Sequence, residues 1–213
     1  MSKRRMPLEN GEIYHIFNRG VEKRQVFMDQ SDYRRFIQSM TEFNTTEPIG
    51  SIYENSFRKN PSLGGEASKL VNIICYCLNP NHYHLILEQT SERGIEKFMH
   101  RLATGYTGYF NKKEDRSGVL FQGPFKSVYI GSNEQLLHAS VYVNLNFKVH
   151  QLGGEASKSW SSWDEYAGDA KHDFCDKNKV LGQFKNKAEY KEFAEKTLVE
   201  IVKRKEFLKD LEE

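Results

Sequence analysis

Two histidines separated by a single residue are the feature of this sequence that most clearly points to chemistry. His82 and His84 follow the turn residues 79–81 and open an otherwise apolar segment. Because side chains alternate along a β-strand, both imidazoles would lie on the same side of a sheet. Neighbouring imidazoles can form half of a divalent-metal site, although a strand histidine is also often only hydrogen-bonded. This strand is therefore a candidate metal-binding strand.

A tyrosine and an amide four residues apart form the second pattern. Tyr142 and Asn146 lie in a segment with helical spacing, which would put their side chains on one helix face. An amide oxygen can serve as a further metal ligand, and a tyrosine can attack phosphorus when a cation polarises the phosphate. Together the patterns suggest a metal-assisted tyrosine nucleophile, as in DNA strand transfer. The plainer interpretation of Tyr142 is a core aromatic, and His138 is either a nearby proton acceptor or a surface residue.

The cysteines offer a competing metal interpretation. Cys75 and Cys77 alternate on the preceding strand, so Cys-x-Cys and His-x-His together could form a tetrahedral zinc site. Buried free cysteines are also common in a central strand. With Cys175 the chain has three cysteines, which do not make an even disulfide set, so a reducing cytoplasm is the expected location.

Composition indicates a soluble globular protein of one domain with or without a helical appendage. The 213 residues are 38% hydrophobic and 28% charged, with no apolar run long enough for a membrane span and no apolar stretch after the basic start, so no secretory signal is expected. The net charge of +2 is uneven: residues 1–152 hold 19 Lys/Arg against 15 Asp/Glu, and residues 153–213 hold 12 against 14. The modest basic excess lies with the histidines and Tyr142, and by itself does not establish nucleic-acid binding.

The periodicity predicts the order β-α-β-β-α-β-α up to residue 148. Strands are expected at 12–19, 70–78, 82–88 and 125–130, and helices at 31–44, 91–111 and from 133, with N-caps at Ser31, Ser91 and Asn133. This order favours an α+β fold of ferredoxin-like type, an antiparallel sheet with helices on one face. A further amphipathic helix is expected near 187–209.

The predicted organisation is one domain over 1–152, with an exposed loop at about 47–69, and a C-terminal helical extension over 153–213. The segment LGGEASK occurs twice, at 63–69 and 152–158. Its spacing is too long and its flanks too different for a solenoid repeat. The two copies are interpreted either as copies of one short DNA insertion tolerated in surface loops or as similar loops that lie near each other.

Six short segments, taken in their order along the chain, resemble motifs of the single-tyrosine transposases of the HUH endonuclease superfamily. The resemblance is closest to the branch associated with repetitive extragenic palindromes (REP). The resemblance covers nearly the whole chain. The matching segments are YHIFNRG at 14–20, CLNPNHYH at 77–84, YFN at 109–111, RSGVLFQ at 116–122, YVNLN at 142–146 and WSSWDEY at 160–166. One departure is Phe147, which stands where the family usually has proline, so the helix is expected to run one turn longer, while Lys148 keeps the family's charge.

The resemblance implies that His82, His84 and Asn146 bind Mg²⁺ or Mn²⁺ and that Tyr142 is the nucleophile. It implies cleavage of single-stranded DNA beside hairpin or palindromic elements through a 5′-phosphotyrosine, followed by rejoining, in a monomer or homodimer. Basic residues would hold the DNA phosphates. Those to which the resemblance gives weight are Arg19, Arg116, Lys126 and Lys148.

Two other functions stay open at the level of sequence. One is a non-catalytic module of ferredoxin-like fold that binds single-stranded or hairpin nucleic acid, as RNA binders do by stacking bases on sheet aromatics. The other is a zinc-stabilised structural protein. Histidines on the expected sheet face favour the enzyme over the binding module.

Overall fold

The computed structural model describes residues 7–56, 69–149, 159–168, 170 and 173–210. Within these residues a five-stranded antiparallel sheet has the strand order β4-β1-β3-β2-β5. Its strands are β1 (Ile13–Arg19), β2 (Val71–Asn79), β3 (His82–Gln89), β4 (Lys126–Ile130) and β5 (Trp160–Ser161). The helices are α1 (Gln30–Glu42), α2 (Ile52–Ser56), α3 (Gly94–Lys113), α4 (Asn133–Asn144), α5 (Asn146–Val149), α6 (Trp163–Ala167), α7 (Asn178–Leu181) and α8 (Lys187–Asp210), with a 3-10 turn at Val21–Lys23.

This succession confirms the predicted α+β class of ferredoxin-like type. The fifth strand, β5, was not predicted; it pairs with β2 at the edge of the sheet. The predicted loop 47–69 contains α2, and its residues 57–68 lie outside the described part of the chain. Both copies of LGGEASK, except Lys69, also lie outside the described residues.

The observed N-caps differ from the predicted ones by one or two residues. Asp29 rather than Ser31 caps α1, because its carboxylate accepts from the backbone N–H groups of Ser31 and Asp32. Ser132, rather than Asn133, caps α4 through the Gln135 N–H. At α3 the N-cap is Arg93, which has a left-handed backbone (φ 55°). In each case a neighbouring residue takes the cap position.

One face of the sheet is apolar and is covered by α1 and α3. Tyr83 points to this side, where its ring lies 5.4 Å from that of Phe36 on α1. Phe36 in turn meets Tyr106 of α3 edge-on at 4.9 Å. The Tyr106 hydroxyl donates to the Val26 carbonyl at 2.6 Å, so the buried ring also satisfies its polar atom.

Helix α4 packs on the opposite face, a position that the prediction of helices on one face did not include. Its Tyr142 ring lies edge-on to His84, 5.5 Å between centroids, whereas Tyr83 points away from it. The helix stops at Leu145, whose backbone (φ −110°, ψ 19°) is not helical, and α5 follows at once. The extra turn expected from Phe147 is therefore present, but as a separate short helix.

The C-terminal residues pack against α4. Tyr190 of α8 is fully buried, and its hydroxyl lies 3.0 Å from the Ser140 hydroxyl and accepts from the Asn144 amide at 3.2 Å. The Ser162 hydroxyl donates to the other end of Asn144 at 2.6 Å. The domain boundary at residue 152 stays a prediction. None of the described helices is long and apolar enough to cross a membrane.

Candidate active site

A tight hairpin places the two histidines at the start of β3. Pro80 and Asn81 form the turn, and Asn79 and His82 are the first residues paired across it. In the pairing with β1, His84 lies opposite Phe17 and His82 lies opposite Arg19. Residues that face each other in an antiparallel pair share a face of the sheet, so β1 contributes its odd-numbered side chains to the histidine face.

Hydrogen bonds determine which nitrogen of each imidazole is protonated. His82 Nδ1 lies 2.6 Å from the Asn81 amide oxygen, which only accepts, so the proton lies on Nδ1. His84 Nδ1 lies 2.8 Å from His15 Nε2. Burial lowers the pKa of His15 to about 4, so this ring is neutral and can accept the Nδ1 proton of His84. Nε2 of His82 is then the unprotonated nitrogen, and Nε2 of His84 is unprotonated in the tautomer in which Nδ1 donates to His15, as metal ligation requires.

The structure brings Asn146 to His82. The Asn146 amide oxygen lies 3.3 Å from His82 Nε2, and both side chains are buried. Its oxygen accepts from Asn79 Nδ2 at 2.9 Å, whereas its own Nδ2 makes no hydrogen bond of normal length among the described residues, although this side chain lies near enough to the Tyr142 hydroxyl to lower its pKa. Fully buried donors are rarely left unpaired, and those that are often mark a site for an absent partner.

Tyr142 lies beside the histidines on the same side of the sheet. Its ring is edge-on to both His84 and His15, with centroids 5.5 and 5.9 Å away. Burial raises the pKa of the Tyr142 hydroxyl, while the Asn146 side chain and the charge of Arg19 lower it. The plain alternative, a tyrosine deep in the core, does not describe this half-buried side chain.

A cavity of about 270 Å³ opens where these groups meet. Its lining includes His82, His84 and Tyr142 together with two of the four predicted DNA-binding residues, Arg19 and Lys126. Lys126 also lies over the Phe17 ring, 5.9 Å from its centroid. The cavity thus combines two imidazoles, a phenol and two cations.

Other predicted residues lie away from this cavity. Arg116 is bound to the Asn111 side chain and, at 3.0 Å, to the Val119 carbonyl, within the loop that follows α3. Lys148 is exposed on α5 and lies over the ring of Phe147. His138 is exposed and meets Phe193 of α8 edge-on, so it is a surface residue rather than a partner of Tyr142.

The cysteine interpretation gains no support from the described residues. Cys75 and Cys77 are buried free thiols whose pKa values burial raises, that of Cys77 to about 12. No three His, Cys, Asp or Glu side chains in the described part of the chain come together in a metal-binding cluster. A tetrahedral site made of both cysteines and both histidines is therefore not formed.

Two residues of the site were missed by the sequence analysis. His15 supports His84, and its place on β1, two residues before Phe17, puts it on the histidine face. Asn79 contacts both His82 and Asn146, and it lies directly opposite His82 across the hairpin. Strand alternation and the two-residue turn were the signals that could have found them.

The donor set of this site suits a hard or borderline divalent cation. Imidazole nitrogens and an amide oxygen are ligands that Mg²⁺ or Mn²⁺ accepts, and the Asn146 oxygen lies 3.3 Å from His82 Nε2, a separation that suits two ligands of one ion. His82, His84 and Asn146 would hold the ion.

Comparisons with known proteins agree with this description. The model of the family "Transposase IS200 like" matches residues 65–146. The fold is similar to the solved structure of a REP-associated tyrosine transposase bound to a REP hairpin, with a TM-score of 0.52, 16% sequence identity, and coverage of 82% of this chain and 90% of that chain. Among curated proteins no match was found. The resemblance to this family that the motifs indicated is confirmed over residues 65–146, and the match to the solved structure shows a similar fold.

Proposed function

We propose that this chain cuts and rejoins single-stranded DNA beside hairpin elements, with Tyr142 as nucleophile. One observation carries the proposal: His82, His84 and Tyr142 line the same cavity as Arg19 and Lys126. The family pattern over 65–146 spans the histidine pair and the tyrosine, which supports a transposase function. The similar structure was solved with a REP hairpin, which supports hairpin DNA as the substrate.

The reaction exchanges one phosphodiester for another. The Tyr142 hydroxyl loses its proton as its oxygen bonds to a DNA phosphorus, the bond from that phosphorus to the 3′ oxygen breaks, and the leaving oxygen takes up a proton to become a 3′-hydroxyl, so no net proton is consumed. The 5′ phosphate stays on the tyrosine. A 3′-hydroxyl that attacks the same phosphorus releases the phenol and joins two strands, so no nucleotide cofactor is consumed.

The residues around Tyr142 prepare this step. Because burial raises the pKa of the tyrosine, its hydroxyl is protonated at neutral pH before DNA binds. Arg19 counteracts this effect and, with Lys126, would hold the phosphate at the cavity. Bound Mg²⁺ or Mn²⁺ would supply polarisation of the phosphate oxygens. Arg116 and Lys148 would contact DNA outside the cavity.

Tyr142, His82, His84 and Asn146 all come from one chain, which supports a site that is complete within a monomer. A homodimer in which each subunit uses its own tyrosine is equally compatible with this arrangement. We place the activity in the cytoplasm, in keeping with three free cysteines.

A non-catalytic nucleic-acid-binding module is the alternative. Base stacking on sheet aromatics needs an open sheet face. Here α4 crosses the histidine face, and α1 and α3 cover the opposite face. The alternative predicts DNA binding that chelators leave unchanged, without cleavage.

The test is covalent capture of DNA. The full chain is incubated with Mn²⁺ and a labelled pool of single-stranded hairpins with randomised flanks, then denatured and resolved by electrophoresis. We expect a covalent adduct with the wild type, none with Tyr142→Phe, and an unchanged yield with the control Tyr129→Phe, whose exposed hydroxyl binds Glu12 outside the cavity. Binding without any adduct, or an adduct with Tyr142→Phe, would contradict the proposal.

A further inference from the structure

Asn79 occupies the point on which two proposed metal ligands converge. It is the last residue of β2 and is fully buried. Its Nδ2 atom lies 2.9 Å from the Asn146 amide oxygen and 3.0 Å from His82 Nε2. The Asn79 N–H₂ group therefore donates to the Asn146 oxygen and to His82 Nε2. These are the two atoms whose lone pairs would bind the cation in the proposed site.

The separations among these three atoms match those of neighbouring ligands on a single cation. They are 2.9, 3.0 and 3.3 Å. A six-coordinate cation with bonds of about 2.1 Å holds adjacent ligand atoms about 3 Å apart. An amide nitrogen does not ligate such an ion, but an amide oxygen at the same place would.

The surroundings of Asn79 accept either orientation of its carboxamide. At present its oxygen accepts from the Ser159 hydroxyl at 3.0 Å and lies 3.7 Å from the Cys77 sulfur. A hydroxyl can accept as well as donate, and a thiol does both weakly. After half a turn of the carboxamide, the Asn79 amide would donate to Ser159, while its oxygen would join Asn146 and His82. Neither orientation leaves a buried polar atom of Asn79 without a partner.

We propose that Asn79 is a further protein ligand of the divalent cation, and that its carboxamide rotates when the ion binds. This inference rests on the metal site of the proposed function. The donor orientation satisfies His82 and Asn146 in the absence of the ion. The acceptor orientation adds a fourth protein ligand, from the hairpin end, to His82, His84 and Asn146.

The test is Mn²⁺ binding to the full chain, measured by titration calorimetry and by the electron paramagnetic resonance signal of free Mn²⁺. Asn79→Leu keeps the volume and removes the oxygen, so we expect its Mn²⁺ affinity to fall about tenfold. Asn79→Asp offers a charged oxygen and no donor, so we expect its affinity to rise several-fold. Asn72→Leu is the control, because Asn72 is on the same strand but binds Glu88 away from the site, and its affinity should not change.

The opposite account makes opposite predictions. If Asn79 only fills the site before the ion arrives, Asn79→Leu would bind Mn²⁺ as tightly as the wild type or more tightly, and the inference is overturned. A fall in affinity in Asn79→Asp would also overturn it, and this variant decides the matter if the leucine variant does not fold. A third outcome concerns the metal site itself. If the wild type binds no Mn²⁺, or if His82→Ala binds it as tightly as the wild type, the metal site of the proposed function fails together with the inference.

Discussion

Two buried asparagines, one at the end of α4 and one at the start of α5, have opposite hydrogen-bonding patterns. Asn144 and Asn146 are both fully buried and only two residues apart. Asn144 is satisfied at both ends, by the Tyr190 hydroxyl and the Ser162 hydroxyl. The Asn146 oxygen accepts from Asn79 and lies 3.3 Å from His82 Nε2, and its Nδ2 makes no hydrogen bond of normal length among the described residues. The first asparagine maintains the fold, and the second is the one that we propose as a metal ligand.

The unpaired nitrogen of Asn146 lowers the stability of the fold, which suggests that the side chain has another role. An unpaired buried donor destabilises a protein by about 1–3 kcal/mol. Such a cost is accepted where the group has a task other than stability. The Asn144 network offsets it nearby, because it joins α4 to α8 and to the segment after β5, and so fixes the backbone that carries Tyr142.

The largest effect is expected at the asparagine with the unpaired nitrogen. Asn146→Ala removes a proposed ligand, so Mn²⁺ affinity should fall by roughly 100-fold or more. Because the substitution also removes an unsatisfied donor, the unfolding free energy should change by less than about 1 kcal/mol. Mn²⁺ titration and urea denaturation measure the two quantities. Unchanged Mn²⁺ affinity would remove Asn146 from the site.

The reverse pattern is expected at its neighbour. Asn144→Ala deprives Tyr190 and Ser162 of a buried partner, so the protein should lose about 2–3 kcal/mol of unfolding free energy in urea. In the folded variant, Mn²⁺ affinity should stay within about threefold of the wild type, because additivity holds for groups that share no partner. A variant as stable as the wild type would mean that the Asn144 network is not structural.

A smaller effect should follow when the support of one imidazole is removed. His15→Phe keeps a ring beside Phe17 and His84 but leaves His84 Nδ1 without its acceptor. Mn²⁺ affinity should fall about tenfold, the usual consequence of losing a residue that orients a metal ligand. Calorimetric titration checks this, and an affinity equal to that of the wild type would show that His15 does not position His84.

The sequence was most informative where one periodicity dominated. Alternation along β3 placed His82 and His84 on one face, and the turn before them predicted the hairpin correctly. The ends of the helices were less well predicted, since Asp29 and Ser132 compete with Ser31 and Asn133 for the cap positions. Cap choice depends on a few hydrogen bonds worth about 1 kcal/mol each, which patterns in sequence resolve poorly.

Parts of the site could not be predicted because they depend on distant packing. Tyr142 and Asn146 were expected on one continuous helix, yet they meet across the break at Leu145. The support of α4 by Tyr190 joins residues about fifty positions apart, which no local pattern reveals. The roles of Asn79 and His15 required the register of β1, β2 and β3, and that register emerges only when the sheet is assembled.

The location of a bound cation tests the central claim most directly. A crystal of the full chain is soaked in Mn²⁺, and anomalous diffraction is recorded near the manganese absorption edge. The account predicts one strong peak at about 2.0–2.4 Å from the Nε2 atoms of His82 and His84 and from the Asn146 amide oxygen, beside the Tyr142 hydroxyl. A strong peak elsewhere, or no peak among these three side chains at a saturating Mn²⁺ concentration, would contradict it.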